Sequence, residues 1–173
     1  TADNILMRIA DIVASVPSLL YVILIMMVLG ANEVSILVGL CISSWIETAR
    51  IVRGEVMRIK EREFVLASRL AGAGPLRIFL THLLPNAAGP IVVSLTFLVP
   101  QAIFTEAFLS FMGVGIPAPR ASLGTMIQAA RSQIFVHPYQ MLIPTAVLCI
   151  LILSLNLIGA GLEAKIRRRR EGM

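Results

Sequence analysis

The sequence predicts an all-α polytopic membrane protein, and three observations carry that reading. Hydrophobic residues make up 57% of the 173 and charged residues only 14%, against roughly 45–50% and 25% in soluble domains. Mean hydropathy is +0.87. Four apolar stretches approach the roughly 20 residues that a helix needs to cross a bilayer core. The basic residues fall almost entirely on one side of those stretches.

The first stretch is Ile12 to Gly30, IVASVPSLLYVILIMMVLG, with Pro17 and Ser18 near its first third. The second, Val34 to Ile46, reaches membrane length only by continuing through Glu47 to Val52. Leu83 to Phe104 is the third, interrupted by Pro85, Pro90 and Pro100. Met141 to Ile158 is the fourth and carries Pro144, Ser154 and Asn156. Proline inside a span is tolerated where neighbouring helices or serines re-satisfy the freed carbonyls, so a packed bundle is expected. The plan is spans at about 11–30, 34–52, 83–104 and 140–160, a polar loop at 53–82 and a second polar segment at 105–139.

Arginines orient the spans. Arg8, Arg50, Arg53, Arg58, Lys60, Arg62, Arg69, Arg77, Lys165 and Arg167 to Arg170 share one side, and only Arg120 and Arg131 lie on the other. By the positive-inside rule the 53–82 loop and both termini are expected to be cytoplasmic. The Ala31-Asn32-Glu33 hairpin and Thr105 to Tyr139 then face outward. Net charge is +5, but no folded basic domain remains to read nucleic acid. The Arg167–Arg170 run serves better as a topology anchor in contact with acidic membrane lipid. Cys41 and Cys149 sit in apolar runs as small hydrophobes, so no disulfide framework is expected. The chain opens on Thr1 with no signal-peptide pattern, which suggests a fragment or a processed piece.

In the cytoplasmic loop, Glu55 to Ala71 is rich in helix formers, with charged pairs at three- and four-residue spacing. Val56, Ile59, Phe64, Val65, Ala67 and Leu70 recur at near-helical spacing, a stripe for the membrane domain or a partner. Gly72-Ala73-Gly74 ends that helix, and Pro75 suits the first turn of a second, Leu76 to His82. In the outer segment, Gly113 and Gly115 stop a short helix. Ile116-Pro117-Ala118-Pro119 is extended, as residues before proline are. Ser122 then caps a helix through Phe135, which His137-Pro138 ends. Glu106 lies where a span meets the outer face, facing either a cavity or solvent. Asn156, deeper, is suited to hydrogen bonding between helices. His82 and His137 stand apart from other ligand-type residues, so neither marks a metal site.

These residues together resemble the C-type permease subunit of dipeptide and oligopeptide ABC importers. That family's EAA motif reads Glu-Ala-Ala, three residues, Gly, nine residues, Ile-x-Leu-Pro. Ala67, Gly72 and Leu84-Pro85 match in register; Leu66, Ser68 and His82 stand in place of Glu, Ala and Ile. Around it, WIETARIVRGEV, Arg62 to Val65 and His82 to Asn86 add to the likeness. So does the outer string Glu106 to Gly115 with Pro117 and Pro119. The likeness runs from Asp11 to Asn156.

The resemblance implies a type I ABC importer permease of six helices, the last four present here. The helix ending at Gly72 would be the coupling helix that docks on a cytoplasmic ATPase. Its contact residues would be Glu63, Leu66, Ala67, Ser68, Gly72, Ala73, Leu84 and Pro85. Glu63 lies about one turn from Leu66, where the motif glutamate is missing. Glu106, Ser110 and Asn156 become candidates for the pathway or outer gate. Implied partners are a second homologous permease, two ABC ATPases, and a periplasmic or lipid-anchored substrate-binding protein in a bacterial or archaeal plasma membrane. Cargo would be di- or oligopeptides, with nickel or another small solute as the alternative.

Two other classes compete. An intramembrane enzyme needs clustered His, Asp, Glu or Cys within the spans, which Asp11 and two lone cysteines do not supply. No Gly-x-x-x-x-Gly-Lys-[Ser/Thr] loop is present, so no catalytic residue, cofactor or metal is assigned and ATP would be hydrolysed by another chain. A structural or assembly protein that uses the loop for docking is the remaining alternative.

Overall fold

A computed structural model describes residues 2–117 and 119–171, without the side chains of Ala2, Arg169, Arg170 and Glu171. Ala118 of the Ile116–Pro119 string and the side chains ending the arginine run therefore lie outside the described residues. The described residues are helical with connecting turns: α1 (Ala2–Ala14), α2 (Ser18–Leu29), α3 (Glu33–Lys60), α4 (Glu63–Leu70), α5 (Pro75–Ile78), α6 (Leu84–Phe111), α7 (Leu123–Ala130) and α8 (Tyr139–Glu171). Three helices are long and apolar enough to cross a membrane, Glu33–Lys60, Pro75–Phe111 and Tyr139–Arg168. The pair α1 and α2 makes a fourth if taken as one broken span.

That break corrects the expectation of a single helix over Ile12 to Gly30. The chain bends by 79° between the two helices, at Ser15-Val16-Pro17. Pro17 lacks the amide that would continue the ladder. The Ser15 and Val16 amides turn back to the Ile12 and Val13 carbonyls at 3.2 Å, and side chains reinforce them: Ser15 Oγ donates to the Ile12 carbonyl at 2.7 Å and Tyr21 Oη to that of Val13 at 2.8 Å. In the other long helices Pro85, Pro90, Pro100 and Pro144 stay inside continuous helix. Asn86 donates to the His82 carbonyl, Ser94 to Ile91 and Thr145 to Met141, all within 2.8 Å.

The chain divides into two compact units, Thr1–Ile46 with Leu98–Leu157, and Glu47–Phe97 with Ile158–Met173. In the first, Val22, Met26, Ile36, Leu109 and Ile116 form the buried core. Gly39 lets α3 lie against α2, since a Cβ there would stand 2.6 Å from the Val22 Cα. Asn32 opens α3 by accepting from the Ser35 amide at 2.9 Å, the N-cap geometry of a short polar side chain. In the second unit the core is Ile59, Val65, Ile78, Leu83 and Ala87.

Candidate functional site

The polar loop differs from its expected outline in two places. A single helix over Glu55 to Ala71 does not form: α3 runs to Lys60, Glu61-Arg62 turn, and α4 restarts at Glu63. The Arg62 backbone is extended at φ −71°, ψ 144°. This turn aims Val65 inward, where it is fully buried beside Ile59 of α3 and Ile78 of α5. A straight helix would have carried Val65 past that pocket. Nor is Leu76 to His82 a separate helix. α5 passes through one wide π turn, Phe79–Leu83, straight into α6. The wide turn lies just before Pro85, where an ordinary α turn would press the proline ring on the carbonyl four residues back.

Glycine and proline fix the other end of α4. The Gly72 amide donates to the Arg69 carbonyl at 2.9 Å and the Ala73 amide to that of Ser68 at 3.1 Å, the paired bonds of a Schellman cap. Gly72 holds φ +81°, a region that costs an L-residue roughly 1–2 kcal/mol. Gly74 is extended and Pro75 occupies the first helical position of α5. The eight-residue α4 is thus held at a turn on one side, at a cap on the other, and by Val65 beneath.

Its outer face stays bare. Glu63, Leu66 and Ala67 are exposed, Ser68 and Ala73 half-buried, and Leu70 is 90% exposed. Leu66 and Leu70, one turn apart, place two apolar side chains where the motif's glutamate is missing. Leu84 and Pro85 are exposed at the start of α6. The stripe seen in the sequence therefore splits, with Val56, Ile59 and Val65 packed inward and Phe64, Ala67 and Leu70 outward. Phe64 also meets His82, ring centroids 5.7 Å apart, so the histidine in place of the motif isoleucine packs from the π turn against α4. Sequence reasoning named Val65 only as one of a stripe and missed Ile78 and Leu83; their inward aim depends on the turn at Arg62.

The outer candidates sit in the other unit. Ser110 is 2% exposed and donates to Glu106 Oε1 at 2.7 Å, which joins two of the three proposed gate residues. α6 extends to Phe111 without interruption, so the expected separate short helix is the end of a span. Gly113, at φ +85°, caps it with the same paired bonds, from its own amide to Ser110 and from Val114 to Leu109. Ser122 caps α7 as expected, in a reciprocal box with Thr125; regular helix stops at Ala130, and a tight turn follows over Arg131–Gln133. Asn156 is half-buried on α8, and its expected interhelical hydrogen bond is not formed among the described residues. Nor is there, among them, any group of three or more His, Cys, Asp or Glu able to hold a metal.

This fold is similar to that of a chain from the MetNI methionine ABC transporter in inward-facing form. The TM-score is 0.71 at 19% identity, over 96% of this chain and 76% of that one. In sequence the chain is 48% identical over 161 residues to the oligopeptide transport system permease protein OppC of Bacillus subtilis, covering 93% of this chain and 53% of that protein. It is 42% identical to the dipeptide transport system permease protein DppC of the same organism, over 96% of this chain and 53% of that one. OppC of Salmonella typhimurium is 36% identical, over 93% and 53%. The chain thus spans about half the length of these curated relatives. Residues 1–170 match the family described as binding-protein-dependent transport system inner membrane component, and the chain belongs to that family.

Proposed function

We propose that this chain is part of a non-catalytic permease subunit that lines half of the translocation path of an ATP-driven importer for di- or oligopeptides. α4 is the element that couples it to a separate cytoplasmic ATPase. The carrying observation is the geometry of α4: a short helix fixed at both ends and from below, with an exposed face that carries Leu66 and Leu70. A fixed rod passes a displacement to the helices it is pinned to, whereas a mobile loop absorbs it. Peptide cargo is supported by the relatives, which are peptide permeases at 36–48% identity.

The proposed assembly contains a second homologous permease, two ATPases beneath the 53–82 loop, and a periplasmic or lipid-anchored binding protein at the outer face. The thirteen basic residues on the loop side orient it in the plasma membrane. The Glu106–Ser110 pair belongs to the outer gate.

Gly72→Glu tests the coupling role. A Cβ at Gly72 would meet no neighbour within 4 Å, so the substitution strains the cap without a clash. Membrane insertion is expected to be normal, and uptake and transport-stimulated ATPase activity to be lost. Gly72→Asn, which tolerates positive φ, should retain most uptake. Normal uptake by Gly72→Glu would rule α4 out as the coupling element.

A further inference from the structure

A groove of about 590 Å³ lies within the second unit, walled by α3, α6 and α8. Val93 and Phe97 supply part of its apolar wall. Gly159 of α8 lies against the Phe97 ring, which a Cβ would meet at 3.0 Å. Three arginines, Arg58, Arg62 and Arg167, also line it. Arg58 is held by Glu55 at 2.9 Å, while Arg62 and Arg167 make no ion pair among the described residues. Glu163 is the second acid, so three arginines against two glutamates leave one positive charge.

The groove is also placed at a particular depth. It falls where α3 and α8 change from apolar to charged sequence, after Ile46 and Leu162. In a bilayer that change marks the headgroup layer, whichever way the chain faces. A site there meets one phosphate and one greasy chain from the same molecule.

We propose that this groove binds one anionic phospholipid, its phosphodiester between Arg62 and Arg167 and an acyl chain along Val93 and Phe97. The net single positive charge complements a phosphodiester's single negative one, and guanidinium forks suit phosphate oxygens. The volume lies within the usual range of ligand sites, roughly 300–1,000 Å³. Basic pockets between membrane helices take lipid headgroups by the same physics. A zwitterionic lipid brings its own cation to the rim and gains less.

The test is native mass spectrometry of the full-length subunit with whatever subunits co-purify, titrated with phosphatidylglycerol or with phosphatidylethanolamine of the same acyl chains. Phosphatidylglycerol should bind preferentially. The Arg62→Gln/Arg167→Gln double variant should bind it roughly thirtyfold more weakly, as expected for two lost surface cations. Arg167→Glu, an exposed reversal that does not touch the core, should lose binding even if the double variant assembles poorly. Lys165→Gln, a lost charge on α8 outside the groove, should stay within a few-fold of the parent. Equal binding of the two lipids overturns the proposal. So does unchanged binding by the arginine variants, as when another part of the transporter covers the groove. An equal loss in Lys165→Gln overturns it as well, since only general surface charge would then be acting.

Discussion

Gly72 and Gly113 do the same work in different places. Each takes a positive φ and closes a helix with the same two backbone bonds. Gly115 and Gly124 act differently, by being small. A Cβ on Gly115 would stand 2.3 Å from the Ser110 Cα, and one on Gly124 would stand 2.5 Å from the Ala107 carbonyl oxygen. The segment that carries Gly115 and Gly124 therefore seats directly on the end of α6, over the buried Ser110 that bonds Glu106. Gly115→Ala is expected to destabilise this seat by roughly 1–3 kcal/mol, the usual cost of overpacking. A lowered melting temperature and faster proteolysis of residues 113–122 would show it; an unchanged melting temperature would mean that the segment shifts freely. Ser122→Ala removes one half of the α7 capping box and should cost about 1 kcal/mol, read as faster hydrogen exchange at the amides of Leu123 to Thr125. The cap residues Gly72 and Ser122 were legible in the sequence because capping is local. The close seats of Gly115 and Gly124 were not, since nothing in a glycine's neighbours along the chain tells what lies across from it.

At the scale of elements, each boundary that differs from its expected place has its own cause. Helix formers run unbroken from Glu55 to Ala71, so propensity and periodicity favour one helix there. Burial decides otherwise: the turn at Glu61-Arg62 lets Val65 reach Ile59, Ile78, Leu83 and Ala87. Continuity from α5 into α6 was hidden by the change from polar to apolar sequence after His82, which one wide turn over Phe79–Leu83 carries through without a break. Pro17 misled in the other direction and broke a stretch whose composition alone gave one span. Val65 is the residue on which α4's placement rests. Val65→Ala should cost about 2 kcal/mol of local stability, from two lost methyl groups and the small void they leave. With α4 loosened, uptake should fall while the membrane-inserted amount of protein holds steady. Full uptake in Val65→Ala would mean that α4 needs no anchor.

For the molecule as a whole, composition and the arginine distribution made the membrane class plain, and the EAA-type spacing pointed to the family that residues 1–170 match. The candidate site was legible as a segment, while its working face was not. Which side of α4 is bare follows from tertiary packing, and it leaves Leu66 and Leu70 outward together. The coupling proposal stands or falls on what that face touches. Leu70, 90% exposed at the last turn of α4, is the position to interrogate. The full-length subunit would carry Leu70→Cys in a background with Cys41 and Cys149 replaced, and be crosslinked in native membranes with and without ATP. Crosslinks to an ATPase subunit whose yield changes with nucleotide are the expected result. A Leu70→Cys that links to no ATPase, or links equally in every nucleotide state, would contradict the coupling role of α4.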